Sequence, residues 1–318
     1  MKLKELQKIL VKGLENIEFT DPFIESRRIL MEVLGISMTD LILNEEQEIN
    51  KEKEEEIIDI LNRRKSGEPI QYILGHSEFF GNDIIIKGKV LIPRPDTEVS
   101  VENILKRLKP NDRFLELGVG SGAVLCSVAK ERADISCLGI DISEDAIECT
   151  KINIKNLNLK NAEVKYSDLF ENIDGKYDII YSNPPYIRSD EIENLQIEIT
   201  DHEPRLALDG GEDGLDFYKK IISKYKDYLN KDGYLIFEIG HDQGEFFEKL
   251  GAEIIKDLNG LPRVVIMRWN NVWKYTSIWR SLRWTWKRLD ECRGNKQFLS
   301  ISKNCYWARR AWANCAQI

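Results

Sequence analysis

Apolar positions in residues 1–66 recur at helical spacing, whereas from about residue 111 short apolar runs alternate with helical ones. In the first region Leu3, Leu6, Ile9 and Leu10 form one stripe. Asp21-Pro22 reads as an N-cap followed by proline at the first helical position, where a missing N–H costs nothing. Phe23, Leu30, Val33 and Leu34 are the expected buried face of that helix, and Gly35 closes it. A third helix begins within 52–56 and ends in Arg63-Arg64-Lys65. Acids at its start and bases at its end suit the helix dipole, and these charges read as a solvated face. The expectation for 1–66 is a small helical domain.

Residues 67–98 form a connector. Short β-rich runs are broken at Gly81-Asn82 and Gly88-Lys89, both hairpin-turn signals. It ends in Arg94, Pro95, Asp96, Thr97 and Glu98 just before a helix, where the polar residues are placed to cap that helix. From 111 the strand–helix–strand alternation predicts a parallel α/β sheet. A strand over 113–119 runs into Gly118-Val119-Gly120-Ser121-Gly122, and an apolar helix over 123–130 follows. Strands over 137–140, 162–167 and 177–182 end in Asp141, Asp168 and Asn183. A helix over 215–229, a strand over 233–239, a last helix and strands over 253–258 and 263–268 complete a sheet of about seven. The long polar connection over 187–213 reads as an irregular lid, since loops of that length are commonly functional.

Composition narrows the function classes. The 318 residues carry a net charge of −8, but the last fifty hold ten Lys/Arg against Asp290 and Glu291. That net +8 leaves −16 on residues 1–268, a poor footprint for a duplex DNA binder. No signal peptide and no membrane-length apolar run is expected. The six cysteines lack CxxC or metal-type spacing, which suits free thiols in a reducing cytosol and no metal site. His76, His202 and His241 are scattered and read as structural.

The candidate chemistry sits at the strand ends. Glycines in the 118–122 turn let a ligand approach the backbone, and Asp141 lies where an acid takes ribose hydroxyls. Gly118, Gly120 and Ala123 also satisfy GxGxxA, so this turn alone does not separate NAD from S-adenosylmethionine. Asp168 is placed to accept from an adenine amino group. In Asn183-Pro184-Pro185-Tyr186 two prolines restrict the backbone around one amide side chain. An amide beside a backbone carbonyl forms a donor–acceptor fork that matches a carboxamide or the amino edge of adenine, and Tyr186 offers a surface for stacking.

Glu116-Leu-Gly118-Val-Gly120-Ser-Gly122, Asp141, Asn183-Pro-Pro-Tyr186 and the run from Glu203 to Gly214 resemble a class I S-adenosylmethionine-dependent methyltransferase. With Gly-Glu-Pro-Ile-Gln-Tyr-Ile-Leu-Gly at 67–75 and Ile-Pro-Arg-Pro-Asp-Thr-Glu at 92–98, the chain resembles the PrmC/HemK family over about 1–268. That family methylates the glutamine of the GGQ loop in peptide chain release factors. The resemblance implies a Rossmann-like seven-stranded sheet over 99–268, a β-hairpin connector over 67–98 and a substrate-protein docking role for 1–66. It implies S-adenosylmethionine held by Gly118, Val119, Gly120, Ser121, Gly122, Asp141, Asp168, Leu169 and Asn183. Asn183, Pro184, Pro185 and Tyr186 would hold the substrate and carry catalysis. Two departures stand out: Val119 where the family commonly has Thr, and Leu169 where a bulkier aromatic often flanks the adenine. The competing readings are a methyltransferase acting on a ribosomal-protein glutamine, an adenine-N6 nucleic-acid methyltransferase, and a non-catalytic S-adenosylmethionine-binding module.

Residues 269–318 do not fit this pattern. All seven tryptophans lie there, with a basic excess and little periodicity. The stretch reads as an altered reading frame giving a disordered extension, against the alternative of a basic, aromatic segment contacting RNA.

Overall fold

The computed structural model describes residues 1–18 and 20–269. The expected character of the tail beyond Trp269 therefore lies outside the described residues. Five helices come first: α1 (Leu3–Leu14), α2 (Pro22–Leu34), α3 (Met38–Leu43), α4 (Lys51–Lys65) and α5 (Ile70–Leu74). Asp21 caps α2 by accepting from the N–H groups of Phe23 and Ile24 at 2.9 and 3.0 Å, and Gly35 ends it with φ +63°. Leu3, Leu6 and Leu10 are buried as expected, but Ile9 is 38% exposed. Phe23 is 48% exposed and lies under the Arg27 guanidinium, 4.0 Å from its carbon, instead of in the core. It is the second residue of α2, in its first turn. The short α3 and α5 were not expected. Ser37 and Asp40 form a reciprocal capping box that starts α3, and Ile70 of α5 joins the helical core. The largest departure is Arg64, expected on a solvated face and found 2% exposed.

The connector continues as a hairpin, β1 (His76–Phe79) against β2 (Asn82–Ile85). Its turn is Phe80-Gly81, one residue earlier than the Gly81-Asn82 signal, and both turn residues have positive φ (50° and 67°). That is the geometry a two-residue hairpin turn requires. Gly88-Lys89 joins no strands: it packs on Asp145, whose carboxylate accepts from the Lys89 N–H at 2.9 Å. Phe79, Ile84, Ile86 and Val90 bury themselves in the core of the following sheet.

The remainder is α6 (Glu98–Leu105), β3 (Arg113–Leu117), α7 (Ala123–Glu131), β4 (Ser136–Asp141), α8 (Glu144–Asn156), β5 (Ala162–Tyr166) and β6 (Tyr177–Ser182). Then follow α9 (Ile197–Thr200), α10 (Asp216–Lys224), β7 (Leu229–Glu238), α11 (Gly244–Glu248), β8 (Glu253–Lys256) and β9 (Pro262–Arg268). The seven strands stand in the order β5-β4-β3-β6-β7-β9-β8, with β9 antiparallel to both neighbours. β3 stops at Leu117, short of the expected 119, because Gly118 turns the chain with φ +74°. α10 ends at Lys224 in a 3-10 turn, and β7 starts early across a bulge opposite β6. The 187–213 connection is not structureless: it holds α9 and two single 3-10 turns, 192–194 and 205–207. Strand order reverses between β3 and β6, and a crevice at such a switch point is where open α/β sheets bind ligands.

Candidate active site

Register alone brings the candidate residues together. Leu117 pairs with Ile140 on one side and Ser182 on the other, so Gly118 stands between Asp141 and Asn183 at three adjacent strand ends. The Ser182 hydroxyl donates to the Leu117 carbonyl at 2.7 Å and ties β6 to β3. A cavity opens there. Its floor includes Gly118, Val119, Gly120 and Ser121, one side Asp141, Asp168 and Leu169, and the other Asn183, Pro184 and Pro185. Gly122 and Tyr186 do not line it.

The three turn glycines divide the labour. All have positive φ (74°, 56° and 83°), where other residues are strained. A Cβ on Gly118 or Gly120 would meet nothing within 4 Å, so the backbone there is bare toward open space. A Cβ on Gly122 would lie 2.9 Å from two atoms of buried Thr150 on α8. Gly122→Ala should therefore cost stability, about 2–3 kcal/mol from backbone strain plus the clash. A lowered urea midpoint with an unchanged slope would show it.

Asp141 braces the turn. Its Oδ2 accepts from Gly120 N–H and its Oδ1 from Ser143 N–H, each at 2.9 Å. Burial raises its pKa above the usual carboxylate range, and those same N–H groups hold it back. Val119, the first departure from the family pattern, is buried with Cγ2 on Gly139 of β4. Leu169, the second, has φ +47°, a conformation kept in place by Ser167, whose hydroxyl donates to the Leu169 carbonyl at 2.8 Å. Asp168 beside it is exposed at the cavity rim.

Sequence reasoning missed several contributors. Glu116 lines the cavity, is 3% exposed, and its Oε2 has no partner. Burial pushes its pKa well above that of a free carboxyl. Glu238 ends β7 level with Asn183, since Ser182 pairs with Phe237. Burial pushes its carboxyl up to about 7, against the pull of Thr97, Arg263 and Asn183, and its Oε2 has no partner. Tyr186 does not reach the cavity, and burial pushes its hydroxyl up to about 12, with Glu238 adding to the rise and Arg263 and Arg94 opposing it. Gln243 fixes the backbone beyond it, donating to the carbonyls of Tyr186 and Gly214 at 3.1 and 3.0 Å.

The polar connector residues cap no helix. Arg94 Nη2 donates to both oxygens of Glu203 at 2.7 Å, Asp96 pairs with Arg263 at 2.9 Å, and Glu98 accepts from Phe80 N–H at 2.8 Å. Each joins a different element to the rim. The returning lid is seated just as closely. A Cβ on Gly210 would lie 2.8 Å from the Pro185 carbonyl, and one on Gly214 would lie 2.4 Å from that of Tyr186.

A seven-stranded sheet with its last strand reversed, and a glycine turn facing Asn-Pro-Pro-Tyr across the switch point, define a class I methyltransferase. Residues 5–75 match the PrmC N-terminal domain family and residues 95–212 the methyltransferase small domain. A release factor glutamine methyltransferase from Agrobacterium fabrum is 38% identical over 271 residues, covering 81% of this chain and 94% of the relative. Relatives of the same description from Clostridium acetobutylicum (39%, 84% and 98% covered) and Streptococcus pneumoniae (40%, 73% and 87%) agree. The chain belongs to the release factor glutamine methyltransferase family. Among solved structures, a Pyrococcus furiosus methyltransferase is similar at 24% identity over 59% of this chain and 88% of its own, with a TM-score of 0.44.

Proposed function

We propose that this enzyme transfers the methyl group of S-adenosylmethionine to the side-chain amide nitrogen of the glutamine in the GGQ loop of peptide chain release factors. The observation that carries this reading is Asn183-Pro184-Pro185 on the wall of the cavity whose floor is the glycine turn. The residues present fit the cofactor. Bare backbone at Gly118 and Gly120 leaves it room, and the unpartnered Glu116 Oε2 suits its ammonium group. Asp141 and Asp168 offer acceptors for ribose hydroxyls and an adenine amino group.

When bound, S-adenosylmethionine supplies a methyl group on a cationic sulfur. A carboxamide nitrogen is a poor nucleophile because its lone pair is delocalised. No histidine or cysteine lines the cavity, and its lining acids Glu116, Asp141 and Asp168 lie apart from the Asn183 wall, so none is placed to take the amide proton early. Positioning must then supply most of the rate, and aligned geometry removes about 7–11 kcal/mol of a barrier. The Asn183 amide oxygen and the Pro184 carbonyl would accept the two N–H groups of the substrate amide, and the prolines keep that fork from relaxing. The proton leaves to solvent after transfer. Tyr186 would act from behind the wall, as part of the fork's support. The helical region would dock the release factor, and the setting is the cytoplasm; among the described residues no helix is long and apolar enough to cross a membrane.

Mass spectrometry of the GGQ peptide after incubating release factor with enzyme and S-adenosylmethionine should show one methyl group on the glutamine. Methylation of a ribosomal protein or of adenine in nucleic acid, with the GGQ peptide unmodified, would overturn the assignment.

A further inference from the structure

The lid segment is tied to the helical domain by a residue far from the cavity. Arg64 of α4 has a side chain 1% exposed. Its Nε and Nη2 donate to the two oxygens of Glu25 at 2.6 and 3.3 Å, and its Nη1 to the Glu68 carbonyl at 2.6 Å. Its Nη2 also reaches Glu198 Oε1 on α9 at 3.1 Å, 134 residues along the chain. One rigid guanidinium fork thus joins α2, the start of the connector and the lid. Burial opposes its charge, yet its carboxylate partners outweigh that and raise its pKa.

Five residues beyond Glu198, the Glu203 side chain is 1% exposed and held by Arg94. Directly after it, Pro204, Leu206 and Ala207 form part of the cavity wall. Neither α9 nor the 205–207 turn contributes a buried residue. Apolar packing within this stretch does little to fix it: the two ion pairs hold its leading side, and beyond it the buried Leu208, whose carbonyl accepts from the Ile187 N–H at 3.1 Å, holds the other. Gly67 reinforces the first: a Cβ there would come within 2.8 Å of Ile197 Cγ2.

We propose that Arg64 is a positioning residue for methyl transfer: through Glu198, the helical domain sets the placement of 204–207 beside Pro184 and Pro185. This deepens the function proposed above and rests on it for the reaction concerned. The helical domain is then part of the active-site scaffold, and strain on it reaches the substrate wall.

Glu198→Gln tests this in the full chain, because it leaves the Arg64–Glu25 pair and the helical core intact. Hydrogen exchange across 197–207, measured without substrate, should quicken by about tenfold. The kcat/KM for release factor should fall by about tenfold, while affinity for S-adenosylhomocysteine and the Tm stay unchanged. Glu198→Asp, which keeps the charge, should recover part of the loss. A loss of cofactor affinity and Tm together would mean a merely structural tie. Unchanged exchange, or quickened exchange with unchanged kcat/KM, would overturn the proposal. A wild-type enzyme that modifies no release factor would instead refute the proposed function, and the exchange comparison would still decide the tie.

Discussion

Asn183→Ala is expected to abolish methyl transfer, a loss of at least about a thousandfold, while changing cofactor affinity by no more than about threefold. Asn183 stands at the end of β6, where the Ser182 hydroxyl holds the strand to β3 and two prolines fix the chain beyond. Truncation removes the amide without loosening that frame. Asn183 is only partly buried, so no large cavity results. The glycine turn and Asp141 remain braced to each other through Gly120 N–H. The substrate amide loses one of the two acceptors that would define its orientation. Its nitrogen then samples directions from which attack is unproductive, and little other chemistry at the site can make up the difference. Isothermal titration with S-adenosylhomocysteine, run beside a radiolabel transfer assay, separates the two effects. Lost binding with transfer intact would refute the assignment of roles.

The parts of this site that were legible in the sequence are those set by local rules. Short strand-like runs that break at a polar residue mark strand ends, and three such ends delivered Asp141, Asp168 and Asn183 to one cavity. Gly35 and Asp21 were legible because caps are local too. What failed depends on partners distant in the chain. Periodicity separates apolar from polar faces, but it cannot show that Arg64 is shielded by Glu25 and Glu198. The same limit hid Glu238, whose neighbours Thr97, Asn183 and Arg263 come from three separate stretches. Phe23 and Ile9 failed for the opposite reason: the period is right, but the edge of an apolar stripe on a small domain has nothing to pack against. Residues 37–43 carried a usable signal in the Ser37–Asp40 capping box, but the helix is too short to show a period.

Glu238→Gln should stabilise the enzyme at pH 8, leave its stability at pH 4 nearly unchanged, and slow transfer. Burial raises the Glu238 carboxyl to about 7, from 4.5 for the free group. Between those values the unfolded chain has released the proton that the folded chain still holds. Stability contributed by this group is therefore full below about 4.5 and lost as pH rises to about 7, by about 3 kcal/mol at most. An uncharged isostere escapes the loss, so the difference between variant and wild type should grow from near zero to about that size between pH 4 and pH 8. Subtracting the two curves cancels the titrations of Glu116, Asp141 and Glu203. The carboxylate remains useful because, once ionised, it only accepts. Near Thr97 and Asn183, an acceptor-only group would favour the orientation that turns the Asn183 NH2 toward it and leaves the amide oxygen for the substrate. A protonated carboxyl, or a glutamine amide, also donates and permits the opposite orientation. Wild-type kcat should accordingly rise with pH through about 7, whereas the Gln variant should be about tenfold slower at pH 8 and lack that rise. Unfolding curves and kcat profiles at matched pH measure both halves. A variant as fast as wild type at pH 8 would leave Glu238 as no more than a buried acid.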